Sequence, residues 1–165
     1  MRTLSRSIGR ADIGGEPLPH IFKSFESNKI IFRRAEVSML AGTPGVGKST
    51  LALALALKMK VPTLYISADT NAHTMAMRLA SMISGKNQTD VEYLLQNDTG
   101  WTKATLARGN HIVWSFESSP TLQDIDEEVQ AFEELWGCPP VAIFVDNLMD
   151  IATDGGEEFA SMRAI

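Results

Sequence analysis

"MLAGTPGVGKST", Met39 to Thr50, is the stretch that decides how this chain folds. Gly42-Thr43-Pro44-Gly45-Val46-Gly47-Lys48-Ser49 satisfies the pattern G-x-x-x-x-G-K-[ST] in full. Glycines permit backbone angles that side chains forbid, so successive N–H groups can turn toward phosphate oxygens. Lys48 then reaches the β- and γ-phosphates, and the Ser49 hydroxyl ligates Mg²⁺. Thr50 caps or packs near the α-phosphate. Such a loop needs a strand before it and a helix N-terminus after it. "EVSML" (36–40) reads as that strand. "LALALALKM" (51–59) alternates with the period of a strand, yet leucine and alanine are strong helix formers and no β-branched residue interrupts them. It follows "GKST" directly and is expected to be a helix buried on most sides.

Working outward, "TLYIS" (63–67), "HIVWSF" (111–116) and "PVAIFVD" (140–146) are short apolar runs with the length and flanks of buried strands. Helical patterns lie between them. "NAHTMAMRLASMISG" begins at a cap residue, Asn71, and stops at Gly85. "TDVEYLLQND" and "TKATLARGN" read as two short surface helices. In "TLQDIDEEVQAFEELWG", Leu122, Ile125, Val129, Phe132 and Leu135 share one helical face, Thr121 and Asp124 form a T-x-x-D start, and Gly137 is the stop. Strands alternating with helices imply an α/β fold: a mainly parallel sheet with helices on both faces. Residues 1–29 read as a flexible N-terminal arm and 30–165 as the core.

The bulk numbers set limits. At 165 residues the chain is long enough for one domain with a sizeable core. A net charge of −5 gives no global basic field for nucleic acid. The single cysteine, Cys138, cannot form an internal disulfide, which fits a reducing cytoplasm. The N-terminus has no apolar core of a signal peptide, and no run approaches the roughly 18 apolar residues of a membrane span. His20, His73 and His111 lack ligand spacing with one another or with Cys138. Trp114 and Trp136 are expected to pack rather than stack on bases. Lys103 and Arg108 near Trp101 form a small basic patch or, more plainly, a solvated helix face.

Mg²⁺ on a triphosphate needs a second anchor. The run "VAIFVDN" ends in Asp146 at the carboxyl end of a strand, which is the Walker B pattern. In open α/β sheets ligands sit at the carboxyl ends of the strands, so Asp146 and the loop share one edge. Hydrolysis also needs a group to orient or deprotonate water. Asp69, just past the strand 63–67, is a candidate; the alternative is a turn or cap residue before the next helix. Asp150 reads as the start of a loop.

The order of these parts resembles the RecA-like P-loop ATPase core, and more narrowly the motor domain of DnaB-type replicative helicases, including those of phages. "FRRAEVSMLAGTPGVGKSTLALALA", "YISADTNAHTMAMRLAS", "HIVWSFESSPTLQDIDEEV" and "VAIFVDNLMDI" carry the likeness, from about residue 30 to the end. The resemblance implies ATP and Mg²⁺ as ligands and DNA unwinding in replication as the activity. It implies single-stranded DNA, a homo-oligomeric ring such as a hexamer, and a primase or loader as partners, in a bacterial or phage-infected cytoplasm. Asp69 falls where the family carries its catalytic glutamate, one methylene longer, which predicts slow hydrolysis. Arg78 matches the arginine of the family's A-M-R-L helix. The family's sensor strand, DNA-binding loops and arginine finger come after the Walker B strand. This chain ends at Ile165 within the helix-like "EEFASMRAI", and so reads as a core cut short.

Two other readings stay open: a different RecA-like ATPase (recombinase, recombination mediator or regulator), and a nucleotide-binding interaction module with little turnover. A small-molecule kinase lacks its arginine-bearing lid. A GTPase lacks N-K-x-D after the loop, and the only D-x-x-G, "DIGG" at 12–15, lies before it.

Overall fold

The computed structural model describes residues 15–152. The head of the arm, 1–14, and the tail 153–165 with its helix-like stretch lie outside the described residues. Two compact units divide between Thr43 and Pro44.

In the first unit, Pro17 and Arg33 form an antiparallel bridge. Leu18 N–H donates to the Phe32 carbonyl at 2.8 Å and Arg34 N–H to the Glu16 carbonyl at 3.0 Å. A five-residue helix, α1 (Lys23–Ser27), lies between these strands of chain. Phe25 makes edge-on ring contacts with Phe22 and Phe32. The strand expected at 36–40 is not formed: residues 36–43 hold no regular structure, Val37 is fully exposed and Met39 largely so. A β-type run becomes a strand only through a ladder, because its backbone bonds lie outside itself. Among the described residues no ladder includes this run.

The second unit opens with the loop and α2 (Lys48–Met59). The alternating "LALALAL" is helical throughout, and Ala52, Leu53, Leu55, Ala56, Leu57 and Met59 are buried. A helix covered on most sides has no need of a polar face, which explains how a strand-like period fits it. Next come β1 (Thr63–Ser67), α3 (Ala72–Ser84), α4 (Gln88–Asn97), α5 (Thr99–Leu106) and a 3₁₀ turn at Ala107–Gly109. Strand β2 (Ile112–Ser115), α6 (Leu122–Trp136), β3 (Ala142–Asp146) and a second 3₁₀ turn at Leu148–Asp150 complete the described chain.

The sheet has the order β2-β1-β3 and every pairing is parallel. Strand β1 is central and fully buried, as expected of a parallel strand covered on both faces. Alternation along it sorts the core. Tyr65 faces Ala52, Leu53, Ala56, Met75 and Leu79 of α2 and α3. Leu64 and Ile66 face Phe132, with Ile125 and Val129 of α6 packed beside them. Helices therefore cover both faces, as the pattern predicts.

The helix ends follow their signals. Asn71 Oδ1 accepts from Thr74 N–H, and Gly85 ends α3 in the left-handed region. Thr121 and Asp124 form a reciprocal capping box and Gly137 closes α6. The α6 stripe needs correction. Phe132 is buried, but Leu122 and Leu135 at its two ends are 68% and 71% exposed. The helix overruns the three-stranded sheet, so only its middle turns meet apolar partners.

Candidate nucleotide site

Parallel strands deliver their carboxyl ends to one edge. There Ser67 of β1 pairs in register with Asp146 of β3, and Ala68 N–H donates to the Asp146 carbonyl at 2.8 Å. This coupling fixes the two post-strand segments, and so the two candidate carboxylates, against each other.

The phosphate loop is placed as follows. Gly42 and Thr43 end the first unit in irregular backbone. Pro44, Gly45 and Val46 form an exposed turn that leads to Gly47, the residue preceding α2. Gly45 and Gly47 have φ of 80° and 94°, where a side chain is strained. Lys48 and Ser49 are half-buried in the first helical turn, and Thr50 is exposed. The first turn of a helix leaves N–H groups with no intrahelical acceptor and carries partial positive charge. An exposed turn with this geometry suits an anion.

Two motifs far apart in sequence meet here. Ser49 Oγ donates to Asp146 Oδ1 at 3.0 Å. A hydroxyl and a carboxylate at that distance form a pair of hard oxygens, and Mg²⁺ takes oxygen ligands of this kind. Among the described residues no cluster of three or more His, Cys, Asp or Glu side chains forms a metal cage. An ion at this pair would draw its remaining ligands from phosphate and water, as Mg²⁺ at triphosphates commonly does.

Asp146 is nearly buried, and its second oxygen is also engaged. The Tyr65 hydroxyl donates to Asp146 Oδ2 at 2.9 Å. Burial first, then the adjacent Asp146 carboxylate, holds the Tyr65 phenol far above its ordinary range. It is a proton donor at any working pH. Motif reading does not find this residue. Its signal is a tyrosine inside an otherwise aliphatic strand, whose buried hydroxyl needs a partner.

Asp69 is exposed, two residues past the end of β1, in a turn where Ser67 Oγ donates to the Thr70 carbonyl at 2.9 Å. Its Oδ1 accepts from Thr70 Oγ1 at 2.8 Å. Arg78, on α3, is half-buried with Nη1 4.0 Å from the Met75 sulfur. Both act electrostatically on the Tyr65 hydroxyl, Asp69 raising its pKa and Arg78 lowering it. Asn147 caps the turn after β3, accepting from Met149 N–H and donating to Asp150. Asp150 thus takes part in a local turn.

A family model described as an AAA domain matches residues 27–164. The chain belongs to the AAA-domain family. It is 32% identical over 158 residues to the gene 65 protein of Mycobacterium phage L5, covering 95% of this chain and 59% of that one. It is 33% identical over 139 residues to the gene 65 protein of Mycobacterium phage D29, covering 77% and 56%. The chain thus spans somewhat more than half the length of these curated relatives. Among solved structures, the ATPase domain of a DnaB-like helicase superposes with a TM-score of 0.59 at 14% identity, covering 70% of this chain and 44% of that one. The fold is that of a RecA-like ATPase domain. No helix among the described residues is long and apolar enough to cross a membrane.

Proposed function

We propose that this chain binds Mg²⁺–ATP through Gly42–Thr50 and Asp146 and hydrolyses it slowly, as the motor core of a DnaB-type helicase. The observation that carries the reading is the 3.0 Å pairing of Ser49 with Asp146. It joins the loop hydroxyl to a strand-end carboxylate, the two protein oxygens that a Mg²⁺–triphosphate requires. Lys48 neutralises charge on the β- and γ-phosphates. Ser49 and Asp146 hold the cation's protein side, and Asp69 orients the attacking water. The core runs over 30–165, behind an arm of 1–29, and the family match beginning at residue 27 supports that boundary. The likeness to a helicase ATPase domain supports motor use of the site. The partners are further copies in a ring, single-stranded DNA, and a primase or loader. Lys48→Ala is expected to abolish ATP binding and phosphate release. Phosphate release that rises with single-stranded DNA and falls with salt supports the helicase reading. A wild-type chain that fails to bind ATP at micromolar protein would sink the proposal.

One observation favours a second reading, a nucleotide-binding module with little turnover. Asp69 is short, exposed and already bonded to its neighbour Thr70. Tight ATP binding with no phosphate release, even with DNA present, would select it.

A further inference from the structure

We propose that Tyr65 is a positioning residue for the cation: it locks the rotation of the Asp146 carboxylate so that Oδ1 stays with Ser49. The inference rests on the reading of this edge as a Mg²⁺–triphosphate site. The two Asp146 oxygens have different partners, Ser49 Oγ at 3.0 Å on Oδ1 and Tyr65 Oη at 2.9 Å on Oδ2. A carboxylate with one donor can swing about its terminal torsion, which is broad for aspartate. With a second donor on the opposite oxygen, that rotation costs a buried hydrogen bond to a charged group.

The donor is itself immobilised. Tyr65 is fully buried on the central strand. The ladder sets it opposite Trp114 on one side and Phe144 on the other. Its ring stacks on Phe144 at 5.6 Å and 10°, and contacts Trp114 at 5.0 Å. The hydroxyl therefore arrives at Asp146 on a rigid aromatic shelf and contributes without touching nucleotide or metal. Outer partners of this kind orient metal-binding carboxylates and commonly affect metal affinity by about 10–100-fold. Mg²⁺ demands near-ideal octahedral geometry whereas Ca²⁺ tolerates irregular ligands. The lock thus favours Mg²⁺ over Ca²⁺.

The test is Tyr65→Phe in the full chain, which keeps the ring and removes the hydroxyl. Binding of a fluorescent ATP analogue is measured in EDTA, then across Mg²⁺ and Ca²⁺ titrations. The expected result is unchanged affinity in EDTA, a half-saturating Mg²⁺ concentration raised about tenfold or more, and a smaller rise for Ca²⁺. A Mg²⁺ titration matching wild type overturns the proposal. If the variant does not fold, wild-type protein carrying 3-fluorotyrosine decides. Tyr65 and Tyr93 are the two tyrosines of the chain, and Tyr93→Phe assigns the signals. The Tyr65 ¹⁹F resonance is expected to move when Mg²⁺ joins bound ATP; a stationary resonance overturns the lock. A wild-type chain that binds no nucleotide removes the site reading and this inference together. A Mg²⁺-dependent wild type with an indifferent Tyr65→Phe removes the lock alone.

Discussion

Asp69 carries its carboxylate on one methylene fewer than the glutamate of the resembling family. Errors of about 1 Å in placing a reacting group can cost about 100-fold in rate. Asp69→Glu is therefore expected to speed phosphate release, and Asp69→Ala to slow it, both with ATP affinity nearly unchanged. Full activity in Asp69→Ala would remove this residue from the mechanism. The phosphate loop and Asp146 are legible in the sequence because their chemistry is written in contiguous residues. Tyr65 is not, because its role exists only once β1 and β3 lie side by side and its hydroxyl finds an oxygen 81 positions away. Asp69 is intermediate: its place past a strand is readable, but its bond to Thr70 and its exposure are not.

At the level of elements, α6 shows how caps and packing divide the work. Hydrogen bonds from the Thr121 backbone, then its side chain, hold the Asp124 carboxyl below its ordinary range. A depressed carboxylate stabilises the fold fully above its unfolded pKa, and that contribution fades as pH falls through the folded value. Helicity followed by circular dichroism should thus lose the cap's contribution on acidification, while Asp124→Ala shows no such step from this group. Thr121→Ala is expected to cost about 1 kcal/mol. Phe132→Ala removes the one buried anchor of α6 and should cost about 3–5 kcal/mol in a denaturant melt. The starts at Asn71 and Thr121 and the stops at Gly85 and Gly137 are readable since a cap is a local event. The strand expected at 36–40 and the burial expected of Leu122 and Leu135 fail because both depend on neighbours. A strand needs a ladder, and a stripe needs a surface as long as itself.

Across the molecule, the described sheet of the second unit ends at β3, which carries Ile143 at 46% exposure. An apolar strand at a sheet edge invites pairing between chains. Ile143→Lys is expected to lower light scattering from the concentrated protein without changing ATP binding; undiminished scattering would place the self-association elsewhere. The fold class is legible from the alternation of strand and helix signals, but the order β2-β1-β3 is not, since pairing partners leave no mark in a single sequence. The all-parallel sheet also separates the ends of its strands. Asp146 finishes β3 at one rim, whereas Cys138, the chain's single cysteine and exposed, precedes β3 toward the other. A maleimide dye would therefore attach at one defined point remote from the nucleotide edge. The wild-type chain comes with its own handle for following assembly by energy transfer, with no engineered thiol.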